Sequence, residues 1–457
     1  MGLFGEFLAQ SVFWEGVLVN YQEALTFLAN LTKFGINLGL GRMEYLLDLL
    51  GNPHKHLRVI HIGGTNGKGS TAMITAQVLE EAGYRVGLFT SPHLHSYTER
   101  YLINRNPISE ERFAELMTRL RPLLEKMVAE GREHPTEFEV CTALAFLYFF
   151  EEKVDFLVLE VGMGGAIDST NVVPSPLVSV ITNVTLDHMD YLGNTITEIA
   201  RVKAGIIKKG GYVVTAERKS QALEVIENKC REENAFLVRV GSEITWEIKE
   251  ARPSGNSFSL STPWSSYPDL YIPLAGQFQV VNAATAVGVL EVLKNFYGFG
   301  ITSQHIKKGL EKVSWPARHE ILGRNPLVLV DVAHNHDGAK ALRRSLEEVY
   351  DYRSLILVLG MLGDKEREKV VRELAPLAST VIITRPNSPR AGDWEELAGE
   401  ARAYAPRVKV IADIPEAVDA AFQEAGREDL ICITGSFYMV ADARAYLQEK
   451  YATPSFL

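Results

Sequence analysis

An α/β fold with two units in series is predicted by three features of the sequence. An apolar run at residues 57–62 precedes a glycine-rich loop and a helical pattern, the order in which strand, loop and helix form a phosphate site. Apolar runs and helical segments then alternate, which is typical of a mostly parallel sheet. The alternation restarts beyond residue 318, so we expect a phosphate-loop unit with a small β insertion, followed by a Rossmann-like unit.

Length and composition describe an ordinary globular protein. Its 457 residues are too many for one compact core and favour two domains, with 46% apolar and 23% charged residues. Because 47 basic residues face 57 acidic ones, the net charge is −10, and neither nucleic acid nor an anionic membrane is an expected partner. The three cysteines, Cys141, Cys230 and Cys432, are far apart, which argues against a disulfide framework or a zinc cluster and favours the reducing cytoplasm.

Residues 1–20 form an extension ahead of the first unit. They are apolar but lack a basic start and a cleavage signal, so an amphipathic helix is expected rather than a signal peptide. Glu6 stands where an N-myristoylation signal needs serine or threonine. No apolar run of the sequence has the length of a membrane span.

The phosphate loop occupies residues 63–70. Its small residues let the backbone approach phosphates and Lys68 adds positive charge, so a nucleoside triphosphate is the expected ligand. The spelling departs from the Walker pattern, because Ile62 stands where the first glycine belongs and Gly69 separates Lys68 from the first hydroxyl. A glycine-rich turn without a ligand is the minority alternative. The residues expected to contact ATP here are Gly64, Thr65, Asn66, Gly67, Lys68, Gly69 and Ser70.

Polar residues stand after or at the ends of three further strands of the first unit. Ser91 is held extended by the following proline, and a metal-bound hydroxyl and a plain Ser-Pro turn are equally good readings. Glu160 ends an apolar strand, where a carboxylate costs burial energy unless it is paired or binds metal, and we favour magnesium. His188, between Asp187 and Asp190, is a candidate ligand, although a lone histidine is more often structural. The strands expected after the loop are residues 84–90, 155–161, 177–184 and 212–215.

The pattern changes between about residues 236 and 271 to short alternating runs, which predict the small β insertion. Helical periodicity returns at residues 282–293. A break at residues 313–317 is the expected linker, which gives domains at residues 1–312 and 318–457. The strands expected in the second unit are residues 327–331, 354–360, 380–384, 408–411 and 430–434.

A series of short motifs follows one order along the chain. They are GGTNGKGS, SPHL, TEFE at residues 136–139, EVGMGG with Asp168 and Asn171, ITNVTLDHMDYLG, KAGIIK, QVVNAATA, WPAR and DVAHN. In this order they resemble the folylpolyglutamate synthases, a branch of the Mur ligases. The resemblance runs from about residue 21 to residue 436 and implies a P-loop ATPase domain followed by a Rossmann-like C-terminal ligase domain.

The resemblance also implies roles for individual residues. Ser91, Glu160 and His188 would bind magnesium, and Lys203, carbamylated by carbon dioxide, would support a second magnesium ion. A solvated or phosphate-facing Lys203 is the alternative. The residues expected to act in catalysis are Lys68, His188, Lys203 and His334. Further ATP contacts are expected from Asn282, Arg318 and Asp331, and folate contacts from Thr136, Glu137, Phe138, Ile167, Asp168 and Ser169.

Three positions depart from the family's usual spelling. Ala166 replaces an arginine, Val202 a glutamate and His336 a proline. The loss of the arginine removes positive charge close to the expected folate segment, and we expect it to affect the folate form rather than the reaction.

The reaction implied is ATP-dependent addition of L-glutamate to the γ-carboxylate of tetrahydrofolate or its polyglutamates through an acyl phosphate, by a monomer. Addition of the first glutamate to dihydropteroate is an open alternative. A Mur-type peptidoglycan-precursor ligase is the runner-up, but the loop starts at residue 63, which leaves too little chain for a nucleotide-sugar domain. A nucleotide-binding switch or a non-ligase P-loop phosphotransferase is the alternative from another class, but a switch would leave Glu160, His188 and Lys203 without a task.

Overall fold

The computed structural model describes residues 19–32, 35, 37 and 39–451. The amphipathic helix expected near the N-terminus falls almost entirely outside these residues. Within them, no helix is both long and apolar enough to cross a membrane.

The first sheet contains eight strands within the described chain and is mostly parallel, as predicted. Its strands are β1 (Val59–Gly63), β2 (Val86–Phe89), β3 (Tyr101–Ile103), β4 (Asn106–Pro107), β5 (Phe156–Glu160), β6 (Val178–Ile181), β7 (Tyr212–Thr215) and β8 (Phe236–Arg239). They lie in the order β4-β3-β2-β5-β1-β6-β7-β8, and β3 and β4 are the antiparallel strands at one edge. The central strands β1, β2, β5 and β6 are buried along their length, because helices cover both faces.

The helices of the first unit pack on the two faces of this sheet. They are α1 (Tyr21–Leu31), α2 (Gly41–Leu49), α3 (Lys68–Glu81), α4 (Glu110–Ala129), α5 (Glu137–Glu151), α6 (Met189–Leu192), α7 (Ile196–Ala204), α8 (Ser220–Glu232), α9 (Phe278–Tyr297) and α10 (Ser303–Glu311). Helices α3 and α9 share one apolar core with the sheet, and α4 and α5 share another on the opposite face. The phosphate loop therefore joins a buried strand to a buried helix.

The β insertion is a separate antiparallel sheet of β9 (Thr245–Arg252), β10 (Gly255–Ser261) and β11 (Ser266–Ile272). Its predicted start at residue 236 is wrong, because Phe236–Arg239 pairs in parallel with β7 as the edge strand of the main sheet. A short strand half covered on one face has the same alternation as a hairpin strand, so periodicity does not separate the two.

The second unit is an open sheet with the order β12-β13-β17-β14-β15-β16. Its strands are β12 (Glu320–Arg324), β13 (Leu327–Val330), β14 (Leu355–Leu359), β15 (Ala378–Ile383), β16 (Val408–Val410) and β17 (Leu430–Thr434). Its helices are α11 (His336–Glu348), α12 (Arg367–Leu374), α13 (Glu396–Ala401), α14 (Ile414–Glu424) and α15 (Phe437–Tyr451). The parallel strands confirm the five predicted ones, whereas β12 is an antiparallel edge strand that the prediction lacked.

The segment between α10 and β12 contains no helix or strand. Val313 is buried in the apolar core of the first unit, and Ala317 is buried in a core of the second. The chain passes from one core to the other within these residues, and the linker at residues 313–317 stays a prediction.

Candidate active site

A cavity of about 390 Å³ lies between the two units. The loops that follow β1, β2, β5 and β6 line it from the first unit, and the loops that follow β13, β14 and β17 line it from the second. Both sheets therefore present the carboxyl ends of parallel strands, where ligands of open α/β sheets bind.

The phosphate loop is held in shape by the segment after β6. The N–H of Thr65 donates to the carbonyl of Asn183 at 2.8 Å, and the N–H of Asn66 donates to Asn183 Oδ1 at 2.8 Å. The Thr182 hydroxyl donates to the carbonyl of Asn66 at 2.7 Å. Thr182 and Asn183 belong to the motif ITNVTLDHMDYLG. From this motif the sequence predicted His188 as a metal ligand, but it did not predict that Thr182 and Asn183 support the loop.

Two glycines of the loop are required by their surroundings, and a third has close neighbours. A Cβ at Gly64 would overlap the Thr182 hydroxyl, and one at Gly67 would overlap Asn282 Oδ1. Both glycines have positive φ, 136° and 83°. A Cβ at Gly69 would lie 3.3 Å from the Trp315 ring and 3.5 Å from Glu160 Oε2. The glycine that departs from the Walker spelling therefore lets α3 approach the linker and the candidate metal ligand.

Glu160 and Ser91 lie together beside the loop. Glu160 is 5% exposed, and its Oε2 accepts the N–H of Ser91 at 3.2 Å. Burial raises the pKa of Glu160, although the charge of Lys68 and the N–H of Ser91 oppose the rise. A buried carboxylate next to a hydroxyl and a phosphate loop has the oxygen donors that magnesium prefers.

Lys203 and His188 also line the cavity. Lys203 is 4% exposed, and its Nζ donates to the carbonyl of Gly64 at 2.9 Å. Burial, reinforced by the charge of Lys68, lowers the pKa of Lys203 to about 7, so a large fraction is an uncharged amine at neutral pH. Burial lowers the pKa of His188 to about 4, which leaves the neutral imidazole that metals bind. No cluster of three or more His, Cys, Asp or Glu side chains suited to a metal occurs in the described ranges.

Two contacts join the first unit to the second across the cavity. Lys365 Nζ lies 2.8 Å from Asp187 Oδ1, and these side chains are only 8% and 11% exposed. The amides of Asn66 and Asn335 exchange hydrogen bonds of 3.2 and 2.9 Å. Lys365 and Asn335 were not predicted from the sequence. Each lies far along the chain from its partner, by 178 and 269 positions, and no sequence pattern connects residues at such separations.

Replacing Lys365 with methionine is expected to leave Asp187 buried without its cation. Burial would raise the pKa of Asp187, but His188 and Lys365 hold it well below its usual range. Because the His188 ring is neutral at pH 7, Lys365 is the cation that remains. We expect kcat/KM to fall by roughly 10- to 100-fold, since an unpaired buried charge costs about 3 kcal/mol.

The Lys365–Asp187 ion pair should also affect stability in a pH-dependent way. A carboxylate with a depressed folded pKa contributes stability above its unfolded pKa of about 4, and that stability is lost as the pH falls through the folded value. The difference in unfolding free energy between wild type and Lys365→Met should therefore persist throughout pH 6 to 8. A difference that vanishes at pH 6 would contradict the ion pair, and Lys369→Met is the matched control, because Lys369 pairs with Glu366 within its own unit.

The predicted folate segments line the opposite end of the cavity. Thr136 begins α5, where its N–H donates to Glu139 Oε2 at 2.7 Å. Phe138 packs so closely on Gly162 that a Cβ there would overlap its ring. Asp168 begins the short helix Ser169–Val172 and accepts the N–H of Met163 at 2.8 Å.

Arg100 is a cavity residue that sequence analysis missed. It is 7% exposed, donates to Glu137 Oε1 at 3.1 Å and to His93 Nδ1 at 2.9 Å, and lies over the Tyr97 ring. Its signal was one arginine shortly after SPHL, with no spacing to mark it. Ala166 does not line the cavity. Other residues supply positive charge to the cavity in the absence of an arginine at position 166. The cationic cavity residues are Lys68, Arg100, Lys203, Arg318, Lys365 and Arg390.

The cavity brings together most of the predicted site residues. They are Gly64, Thr65, Asn66, Gly67, Lys68, Gly69, Ser91, Thr136, Glu137, Phe138, Glu160, Ile167, Asp168, Ser169, His188, Lys203, Arg318 and His334. Three predicted ATP contacts lie outside its lining: Ser70 is buried in α3, Asn282 lies beneath Gly67, and Asp331 accepts the N–H groups of His319 and Ala333. Their contact with ATP stays a prediction.

Two family matches divide the chain in the same way as the sheets. Residues 62–290 match the family described as Mur ligase middle domain, and residues 317–437 match Mur ligase, glutamate ligase domain. A dihydrofolate synthase/folylpolyglutamate synthase of Bacillus subtilis is 37% identical over 94% of this chain and 99% of its own length. The chain belongs to the folylpolyglutamate synthase family.

Solved structures of family members have the same fold. A Mycobacterium tuberculosis folylpolyglutamate synthase complexed with ADP is 33% identical, with a TM-score of 0.86 over 94% of this chain and 99% of that one. An Escherichia coli protein in complex with DHPP and ADP is 29% identical, with a TM-score of 0.84 over 94% and 98%. The predicted fold class and family are confirmed, and the Mur-type alternative has support only at the level of the superfamily.

Proposed function

We propose that this folylpolyglutamate synthase family member uses ATP to join L-glutamate to the γ-carboxylate of a folate. The proposal rests on one observation: residues of both units line the same cavity. The first unit contributes the phosphate loop, the buried Glu160 and Lys203, and the segments around Phe138 and Asp168. A nucleotide switch would need the loop alone. The names of the relatives agree with a ligase.

The reaction needs two anions to meet. The folate carboxylate attacks the γ-phosphate of ATP to give an acyl phosphate and ADP, and the amine of glutamate then displaces phosphate. Lys68 and the N–H groups at the start of α3 are placed to bind the phosphates. Arg318, half-buried just after the linker, adds a further positive charge to the cavity. No side-chain nucleophile is required, and positioning with charge stabilisation supplies the acceleration.

We infer that Ser91, Glu160 and His188 would hold magnesium and that a carbamate on Lys203 would support a second ion. Magnesium, when bound, supplies Lewis-acid charge to the transferring phosphoryl group. Carbamylation needs an uncharged amine, and the low pKa of Lys203 provides it at neutral pH. A carbamate would convert this buried amine into an anionic oxygen donor beside the phosphate loop, where Nζ lies 2.9 Å from the carbonyl of Gly64.

We infer that the second unit brings glutamate to the acyl phosphate. His334 Nδ1 lies 2.9 Å from the carbonyl of Val332, so Nδ1 carries the proton and Nε2 is left as an acceptor. Burial lowers the pKa of His334 to about 4, so the ring is neutral. We infer that Nε2 accepts a hydrogen bond from the attacking amine. Residues 313–317 then act as the linker between domains at 1–312 and 318–457, and closure brings Lys365 and Asn335 onto the first domain.

Nucleotide turnover tests the proposal. ADP and phosphate should be released only when ATP, magnesium, L-glutamate and a folate are all present, and omission of any one should abolish release. Release of phosphate without folate or without glutamate would identify a phosphatase or a phosphotransferase and contradict the ligase. Dihydropteroate is the second acceptor to test, because the Bacillus subtilis relative carries both activities in its name.

A further inference from the structure

A fully buried histidine stands in the centre of β1, the strand that leads into the phosphate loop. His61 is 0% exposed and has Leu159 and Ser179 as its neighbours on the flanking strands. Its Nδ1 has no hydrogen-bond partner in the described part of the chain. An unsatisfied buried nitrogen costs about 1–3 kcal/mol, so packing alone does not account for a histidine there.

The other ring nitrogen starts a chain of hydrogen bonds that ends in the cavity. His61 Nε2 lies 2.8 Å from the Thr170 hydroxyl, and that hydroxyl donates its hydrogen to Asp168 Oδ1. A hydroxyl has one hydrogen, so the oxygen of Thr170 must accept from Nε2–H. Burial lowers the pKa of His61 to about 3, so the ring is neutral and carries this one proton.

Asp168 is the end of the chain and lines the cavity. Its Oδ1 also accepts the N–H of Thr170 at 3.0 Å, and its Oδ2 accepts the N–H of Met163 at 2.8 Å. Its neighbour Ser169 is held by the Thr142 hydroxyl at 2.8 Å. The carboxylate is thus fixed in one rotamer, and a fixed carboxylate acceptor suits the paired N–H groups of an aminopyrimidine ring.

We infer that His61 is a positioning residue for folate recognition, which acts through Thr170 to orient the Asp168 carboxylate toward the folate ring. This inference rests on the proposed function. His61 touches neither substrate nor cavity, since it is absent from the cavity lining. Its role is to supply a fixed donor that stops the Thr170 hydroxyl from rotating away from Asp168.

The test separates positioning from packing. Leucine has a similar volume to histidine, but His61→Leu removes the Nε2–H donor. It also removes the unsatisfied Nδ1, so the melting temperature should stay level or rise. KM for the folate should rise about tenfold, the scale of one lost hydrogen bond, while KM for ATP is unchanged. His61→Gln retains an N–H donor and should restore most of the folate KM.

His54→Leu is the matched control. His54 is also buried with an unpartnered Nδ1, but it packs on Phe146 away from the cavity, so its replacement should leave both KM values unchanged. Thr170→Val breaks the same chain at its middle and should reproduce the folate effect if His61→Leu does not fold. The double variant should be no worse than Thr170→Val alone, because both changes remove one connection.

The inference is overturned, with the function intact, if the folate KM is unchanged in His61→Leu. It is also overturned if the KM for folate and the KM for ATP rise equally. Additive effects of His61→Leu and Thr170→Val would also overturn it. Failure of the wild-type protein to add glutamate to any folate would instead contradict the proposed function, and the inference would fall with it.

Discussion

Replacing Lys203 with methionine is expected to lower kcat by at least about a hundredfold, the scale on which one preorganised charged contact acts in an active site. Methionine keeps the volume of the lysine stem but cannot form a carbamate. The side chain is 4% exposed, so its loss is not replaced by solvent. Steady-state turnover with saturating ATP, folate and glutamate measures the effect. Lys209→Met is the control, because Lys209 is exposed and lies six residues further along the same segment.

Carbon dioxide provides an independent check on Lys203. Wild-type protein depleted of carbon dioxide should lose activity and regain it with bicarbonate, and the regained fraction should increase from pH 6 to pH 8. The direction follows from a pKa of about 7, since the uncharged amine that reacts with carbon dioxide becomes more abundant as the pH rises. Full activity in Lys203→Met, or no response to bicarbonate in the wild type, would show that no carbamate is needed.

Replacing Gly64 with alanine is expected to weaken ATP binding by at least about a hundredfold. The added Cβ would overlap the Thr182 hydroxyl, which also holds the loop through the carbonyl of Asn66. The positive φ of 136° adds backbone strain for any residue with a side chain. The loop must therefore move, and its N–H groups lose their aim at the phosphates. Titration calorimetry with ATP measures the loss.

Gly83→Ala separates backbone strain from the clash. Gly83 has a φ of 89° at the other end of α3, and nothing lies within 4 Å of its added Cβ. It should lower the melting temperature slightly and leave ATP affinity unchanged. Equal affinity for ATP in Gly64→Ala and wild type would show that this loop does not bind the phosphates.

The sequence predicted well those features that depend on neighbouring residues. Strand, loop and helix around Lys68 are consecutive, so order and glycine content were sufficient, and each predicted strand of the second unit matches an observed strand. The misplaced insertion boundary and the missing β12 are both edge strands, whose single covered face gives a weak pattern.

The site was predictable where a motif carried it and unpredictable where folding created it. Glu160, His188 and Lys203 stood out as polar residues next to apolar strands or within a family motif. Lys365 and Asn335 became partners of cavity residues only because the two units fold together. Arg100 meets Glu137, and His61 meets Thr170, through the folding of the first unit. Spacing in the chain does not encode such contacts.

The most direct test of the central claim is to incubate the protein with ATP, magnesium, isotopically labelled L-glutamate and either tetrahydrofolate or dihydropteroate, and to resolve the products by mass. The account predicts a folate product heavier by one or more labelled glutamyl residues, formed with one ADP for each glutamate added. It also predicts that Lys203→Met forms this product at least about a hundredfold more slowly. Incorporation of label into neither acceptor, with ATP and magnesium bound, would contradict the account.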